Sequence, residues 1–339
     1  MAIVTDRQYR QILSTALAER SSGIEDLVSD SVVLYNVLKD KGRIRPFSGP
    51  EIRQTLQFNK QEAQWIRGYD FLANPPIELW NDAVWTPKTV FVPMSLTGQE
   101  MRANEGENQI FDIVDNYLEA AERALVDAFD EALHGDGTAD GGKAIIGLAG
   151  AVPIIEANGV YGGIDRNTVT LWQTTTFDAH TDFSTIGTQV SSTTIRPMLS
   201  SIAAKRSRGT RYADLLIMSE EHYFAYDAAT VAIQRIAKES RLGSLGFRGL
   251  EYVGGGKGAE IVLASGMNTN MPANTTYGIE TRSMSIRNRA SLNFANLFDG
   301  EGQKPINQDA IAQFIGWEGE LTLTNPLFTW RFYDSNPAA

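Results

Sequence analysis

Cysteine is absent from the 339 residues, and histidine is nearly so, with only His134, His180 and His222. The first absence excludes a disulfide framework and any thiolate metal centre. The second leaves too few imidazoles, too widely scattered, for a histidine-rich metal site. Positive charge is also short: 30 Lys and Arg stand against 41 Asp and Glu, a formal net charge of −11. Proteins that grip nucleic acid neutralise phosphates with clustered Lys and Arg, so this balance argues against direct binding. No apolar run approaches the roughly 20 residues that span a bilayer. The opening MAIVTDRQYRQILSTALAERSSG lacks the charged, apolar and cleavable regions of a signal peptide, so the expected compartment is cytoplasm or a particle assembled there. What remains is a chain with a hydrophobic fraction of 42%, able to bury a sizeable core. Its stability must come from packing, hydrogen bonds and assembly.

Patterning supplies the elements. Tyr9, Ile12, Leu13, Ala16 and Leu17 recur at helical spacing over residues 5–20, and Gly23 separates them from a second helical stretch containing Leu27, Val28, Val32, Tyr35 and Leu38. Lys39, Lys41 and Gly42 mark its end, basic charge and a left-handed cap being what a helix C-terminus favours. Two such short helices cannot bury their apolar faces alone and must pack on the body or on a neighbour. Over 51–58, Ile52, Leu56 and Phe58 alternate with Arg53, Thr55 and Gln57, which predicts a strand. A polar turn at 59–62 and a returning strand at 65–72, stopped by Asn74-Pro75-Pro76, complete a hairpin with no core of its own. Such an arm makes sense lying on another subunit. A further strand at 83–96 contains Pro87 and Pro93, which suit an edge or a bulge.

The clearest element is a helix over 108–133, with Ile110, Val114, Tyr117, Leu118, Ala121, Leu125, Ala128, Phe129 and Leu133 on one stripe. At 1.5 Å per residue it is on the order of 40 Å long. It stops at Gly135 and a loop running to Gly142. Helices are then expected at 195–205 and 220–228, the latter extending to 237. Strands are expected at 215–218, 250–253, 261–264, 276–286, 310–317, 320–324 and 327–333. Helices and strands mix without regular βα alternation, which predicts an α+β fold.

Few residues combine into chemistry. Gly254-Gly255-Gly256-Lys257-Gly258 lacks phosphate-loop spacing and precedes a strand, so it reads as a turn. Asp136, Thr138 and Asp140 resemble the start of a calcium loop, but the twelfth position is Gly147 where a bidentate Glu is required. Glu220-Glu221-His222 has no catalytic context and reads as helix-terminal charge. Asn274-Thr275-Thr276 is a glycosylation sequon without meaning in a chain that has no signal peptide. No catalytic, cofactor-binding or metal-ligating residue is assigned, and the chain is expected not to be an enzyme. A chain this long, with helices and a hairpin that need outside partners, looks like an assembly subunit.

The long helix running into His134-Gly135-Asp136-Gly137-Thr138 and Ile145-Ile146-Gly147-Leu148, followed by Tyr161-Gly162-Gly163-Ile164-Asp165-Arg166-Asn167-Thr168 and Leu171-Trp172, resembles the major capsid proteins of tailed bacteriophages with the Hong Kong 97-type coat fold. The resemblance implies an N-terminal arm (1–47), an extended hairpin loop or E-loop (48–78) and a peripheral domain (79–174) with a spine helix (108–133). It further implies an axial domain (175–275) and closing strands of both domains (276–339). The implied role is structural: self-assembly through hexamers and pentamers into an icosahedral phage head enclosing double-stranded DNA. A mildly acidic inner wall would let the duplex slide. Implied partners are a portal protein, a separate scaffolding protein unless the sequence is already processed, because it starts almost directly at the arm, and room for a decoration protein, with no membrane. The implied location is the virion, assembled in host cytoplasm. Contact residues expected between subunits are Tyr9, Leu13, Leu17, Leu56, Phe58, Lys60 and Trp65. Lys60 lies at the hairpin tip, where the fold's namesake carries a cross-linking lysine, but its plain reading is a solvated or salt-bridged side chain. An encapsulin-like shell around protein cargo, which shares the fold, and a soluble hydrolase with a carboxylate pair in an acidic cleft are the alternatives.

Overall fold

The computed structural model describes residues 27–28, 31–57, 63–71, 80–99, 107–230, 250–254, 257–264, 270–296 and 309–337, with backbone alone over 107–115, 250–254 and at 257. Its strands are β1 (Ile44–Phe47), β2 (Ile52–Gln57), β3 (Trp80–Trp85), β4 (Lys88–Thr97), β5 (Val160–Tyr161), β6 (Ile164–Asp165), β7 (Thr175–Asp178) and β8 (Leu215–Met218). They continue with β9 (Leu250–Gly254), β10 (Lys257–Leu263), β11 (Thr275–Ile279), β12 (Met284–Arg289), β13 (Ala295–Asn296), β14 (Ala310–Leu323) and β15 (Trp330–Tyr333). Four principal helices accompany them: α1 (Val33–Asp40), α2 (Glu107–His134), α3 (Ile195–Lys205) and α4 (Glu220–Thr230).

Helix α1 shows how local signals and packing cooperate. Gly42, at φ +64°, donates its N–H to Lys39 O, and Arg43 donates to Leu38 O, the paired bonds of a left-handed helix cap. Every residue from Val33 to Leu38 is buried. Tyr35 meets Phe129 and Phe294 edge-on, at 5.5 and 6.2 Å between ring centres. The C-terminal part of the segment read as an arm is therefore built into the chain's own core, and β1 anchors it further by pairing in parallel with β12. The helix expected over 5–20 lies outside the described residues.

Two sheets organise the molecule. The first has five strands in the order β1-β12-β14-β13, with β4 also on β14. The second has six, in the order β7-β15-β11-β8-β10-β9. The run Leu215-Leu216-Ile217-Met218 shows why β8 of this second sheet is apolar throughout. Leu215 and Ile217 belong to the same core as α1, α2 and the first sheet. Leu216 and Met218 face a second core with Met198, Leu199 and Ile202 of α3. A strand buried on both faces loses the polar alternation of a half-exposed one. Helix α2 turns Leu118, Ala121, Leu125, Phe129 and Leu133 of the stripe read from the sequence into the first core, while Tyr117 is exposed and Ala128 only half-buried.

Four strand expectations need correction. Residues 65–72 were expected to return along β2, yet β3 does so, from Ile52 opposite Trp85 to Gln57 opposite Trp80. The strand expected at 83–96 accordingly breaks at Thr86-Pro87 into β3 and β4. Pro87 interrupts the run, whereas Pro93 stays inside β4, whose one described sheet partner is β14. The strand expected at 276–286 is two, β11 and β12, in different sheets, because the chain turns at 280–283. Conversely, 310–317 and 320–324 form the single strand β14 through Gly319. A Cβ there would lie 2.2 Å from Arg287 O, so glycine permits close strand approach. Among the described residues no helix is long and apolar enough to cross a membrane.

Candidate subunit interface

The hairpin of β2 and β3 is buried at its root and open at its far end. Ile52, Ala83 and Trp85 are in the first core. Leu56 is half-buried against that core, and Trp80 at the last pair is exposed. Beyond it, Gly68 at φ +60° makes a turn in which Asp70 accepts the Arg67 N–H at 2.9 Å. The segment that carries this turn presents Trp65, Tyr69 and Phe71, each about fully exposed at 100, 105 and 99%, with Ile66 at 55%. Large aromatics held this far into water are the candidate interaction surface, since rigid Trp and Tyr dominate interface energetics and cost most to leave hydrated.

The seven contact residues read from the sequence fall into three groups. Trp65 is on this surface; Leu56 lies at the hairpin's half-buried middle. Tyr9, Leu13, Leu17, Phe58 and Lys60 lie outside the described residues. Tyr69, Phe71 and Trp80 were missed, because apolar residues near one another read as strand periodicity. For Tyr69 and Phe71 the usable signal is the local chemistry: with Trp65 they put three rings around Gly68, ahead of Pro75-Pro76, with too little polar alternation for a half-buried strand.

At the hairpin root, β4, the C-terminal end of α2 and the following loop line a groove of about 900 Å³, with Lys88, Phe91, Phe129, Asp136, Lys143 and Trp317 on its walls. The Gly-Asp-Gly-Thr loop on its rim is a closed turn. Asp136 accepts from the Thr138 N–H at 2.9 Å and its hydroxyl at 2.6 Å. These bonds, the hydroxyl first, hold the Asp136 carboxyl below its ordinary range. Gly137 is at φ +85°, and a Cβ there would strike Ile146. Gly147 packs so closely on the end of α2 that a Cβ would lie 2.3 Å from Leu133 O. The motif is thus a lock between the helix end and the next segment. Among the described residues no group of three or more His, Cys, Asp or Glu is placed to hold a metal.

The Gly-Gly-Ile-Asp-Arg motif is a second lock. Gly162 and Gly163, at φ +58° and +73°, form the two-residue turn between β5 and β6, where both positions need positive φ. Gly162 also lies against the Trp85 ring at the hairpin root, where a Cβ would come within 2.9 Å. Arg166, buried, donates to Gly150 O at 3.0 Å, Ala151 O at 2.6 Å and Asn158 O at 3.4 Å. Its guanidinium sits 5.0 Å from the Tyr161 ring centre. The Tyr161 hydroxyl donates to Leu321 O and accepts from Leu323 N, at 3.1 and 3.0 Å. The motif therefore ties the hairpin root to β14.

The remaining sequence candidates take structural roles. Glu221 accepts the Asn274 N–H, and His222 is wholly buried with Nδ1 2.9 Å from Thr276 Oγ1. Burial pushes the His222 imidazole down to about 4, against the pull of Asp334 and Glu221. Gly254 and Lys257 pair across the β9–β10 hairpin, so the glycine run joins two strands, with no helix N-terminus for a phosphate.

No protein-family model matches the chain, and no curated protein matches it. Solved structures do. A chain of the cyanophage A-1(L) capsid asymmetric unit superposes with a TM-score of 0.63 at 16% identity, over 86% of this chain and 90% of that one. A chain of the capsid of the native GTA particle gives 0.53 at 10% identity, over 88% and 89%. A chain of the empty GTA capsid gives 0.51 at 10% identity, over 88% and 96%. The chain has the α+β fold of these capsid subunits, as its resemblance to the Hong Kong 97-type architecture implied.

Proposed function

We propose that this chain is the major capsid protein of a tailed bacteriophage, a structural subunit that assembles into the icosahedral head around double-stranded DNA. The observation that carries the reading is a capsid fold spanning most of the chain combined with a hairpin whose aromatic tip is covered by none of the described residues of its own subunit. In this reading residues 1–47 are the N-terminal arm, rooted by α1 and β1 in the subunit's own core. Residues 48–78 are the E-loop, its return strand continuing through β3, and Trp65, Tyr69 and Phe71 bind the adjacent subunit. Residues 79–174 form the peripheral domain with α2 as its spine, 175–275 the axial domain, and 276–339 the strands that close both. Each contact joins two different surfaces, so it closes into hexameric and pentameric rings. A portal protein, a separate scaffolding protein and an optional decoration protein are the expected partners, and the subunit does no catalysis.

Size-exclusion chromatography and negative-stain electron microscopy of the purified chain, alone and co-expressed with a scaffolding candidate, test this. Rings, tubes or closed shells are expected. A monomer under every condition would overturn the proposal. DNA inside particles from infected cells distinguishes a virion from a shell around protein cargo.

A further inference from the structure

Strands β4 and β12 both pair with Gly319 of β14, so they flank it on opposite edges. The first residue of β4 is Lys88, opposite Gly319, and beyond this point no described strand continues along the β4-side edge of β14. Two side chains take its place. Tyr161 serves Leu321 O and Leu323 N. Glu320, 1% exposed, accepts the Leu321 N–H at 3.1 Å and the Ile146 N–H at 2.7 Å through the same oxygen. Ile146 belongs to the segment that follows the Gly-Asp-Gly-Thr lock, and its neighbour Ile145 lines the groove. One carboxyl thus pins that segment to the sheet edge.

We propose that Glu320 is a pH-sensitive latch: protonated, it clamps residues 143–148 to the edge of β14, and ionised, it releases them into the adjoining groove. The charged groups facing it are few. Lys88, at the start of β4, favours the carboxylate, though its ammonium also donates to Gly142 O at 2.8 Å. Tyr161 is neutral and Arg166 lies behind its ring. Arg287 stands opposite on β12, itself held down by burial and by Arg45, its Nε without a hydrogen-bond partner among the described residues. Loss of hydration outweighs the two amide bonds and Lys88, and pushes the Glu320 carboxyl up to about 8. Opening the segment restores water to it by way of the groove. The clamped form binds the proton more tightly than the open form. Clamping is therefore strongest below the ordinary glutamate range, weakens as pH rises, and levels off near 8. Between those limits one linked proton changes the clamping equilibrium by up to about tenfold per pH unit.

Hydrogen exchange of the full-length chain followed by mass spectrometry from pH 5 to 9, corrected for intrinsic rates, reads this directly. In the wild type, protection of the peptide covering 143–148 is expected to fall at least tenfold from about pH 6.5 to 8 and then plateau, and to stay well below that of the β8 peptide, which exchanges only through global unfolding. Glu320→Gln, which keeps an acceptor oxygen but cannot ionise, is expected to abolish the fall. Flat protection of 143–148 in the wild type would overturn the latch, and so would an equal fall in the variant. If that variant does not fold, the wild-type profile against the β8 reference decides alone. The subunit needs no assembly for this measurement, so its outcome is independent of the capsid proposal.

Discussion

Buried polar side chains carry the joints of this molecule, and each sits where a backbone group has lost its ordinary partner. Tyr161 supplies an O–H and a lone pair to an edge of β14 that no described strand covers. Tyr161→Phe keeps the ring and strands both backbone groups, so a loss of about 1–3 kcal/mol in urea unfolding is expected. Arg166 answers three carbonyls in the chain after the Gly-Asp-Gly-Thr loop. Arg166→Met keeps most of the stem and is expected to cost about 2–4 kcal/mol, with Arg166→Lys recovering only part because one ammonium cannot reproduce the planar fork. His222 gives the acid limb of stability. It is neutral in the fold, with its affinity for a proton lowered to about 4 from 6.5. The unfolded chain takes up that proton first as pH falls, so stability present above about pH 6.5 is lost progressively toward 4. Thermal melts of His222→Gln are expected to show a shallower decline across that window. An unchanged slope would remove His222 from the account.

At the scale of elements, the long helix, α3 and the fully apolar β8 were legible because their periods are unambiguous. The hairpin was legible in kind and wrong in partner. Alternation over 65–72 looked like a strand, but pairing is settled by which segment can put its apolar residues on the core, and Ala83 and Trp85 of β3 do so. The rings between the two strands are consequently left outside. Replacing Trp65, Tyr69 and Phe71 together with alanine is expected to leave the subunit's urea midpoint unchanged, since these side chains are exposed. The same variant is expected to abolish rings and shells in electron micrographs. A large loss of subunit stability would show instead that the tip packs on its own chain. Gly162→Ala tests the second lock: φ +58° and the Trp85 ring both oppose a Cβ, so a loss of at least about 1 kcal/mol is expected in the same assay.

For the whole molecule, the net charge of −11 and the capsid fold lead to one expectation about nucleic acid. Purified subunits at near-physiological salt are expected not to retard duplex DNA in a gel. A shell wall need only surround DNA, and affinity for phosphate would oppose its movement. Clear retardation would mean that basic residues are gathered on one face despite the overall balance.

The sequence by itself determined the α+β class, the length and stripe of the central helix, the glycine turns and the absence of thiolate chemistry. These depend on neighbours within a few positions, or on composition alone. Only the tertiary structure decided that Glu320, Tyr161 and Arg166 meet around one sheet edge, because the hydrogen bonds of Tyr161 and Glu320 to partners across that edge span from 160 to 174 residues of chain. It also decided that Gly319 continues a strand, and that Tyr69 and Phe71 face water while Tyr35 does not. A ring has the same local pattern in either setting. Whether it is core or contact depends on what the rest of the chain brings within about 4 Å of it, and no short window of sequence contains that information.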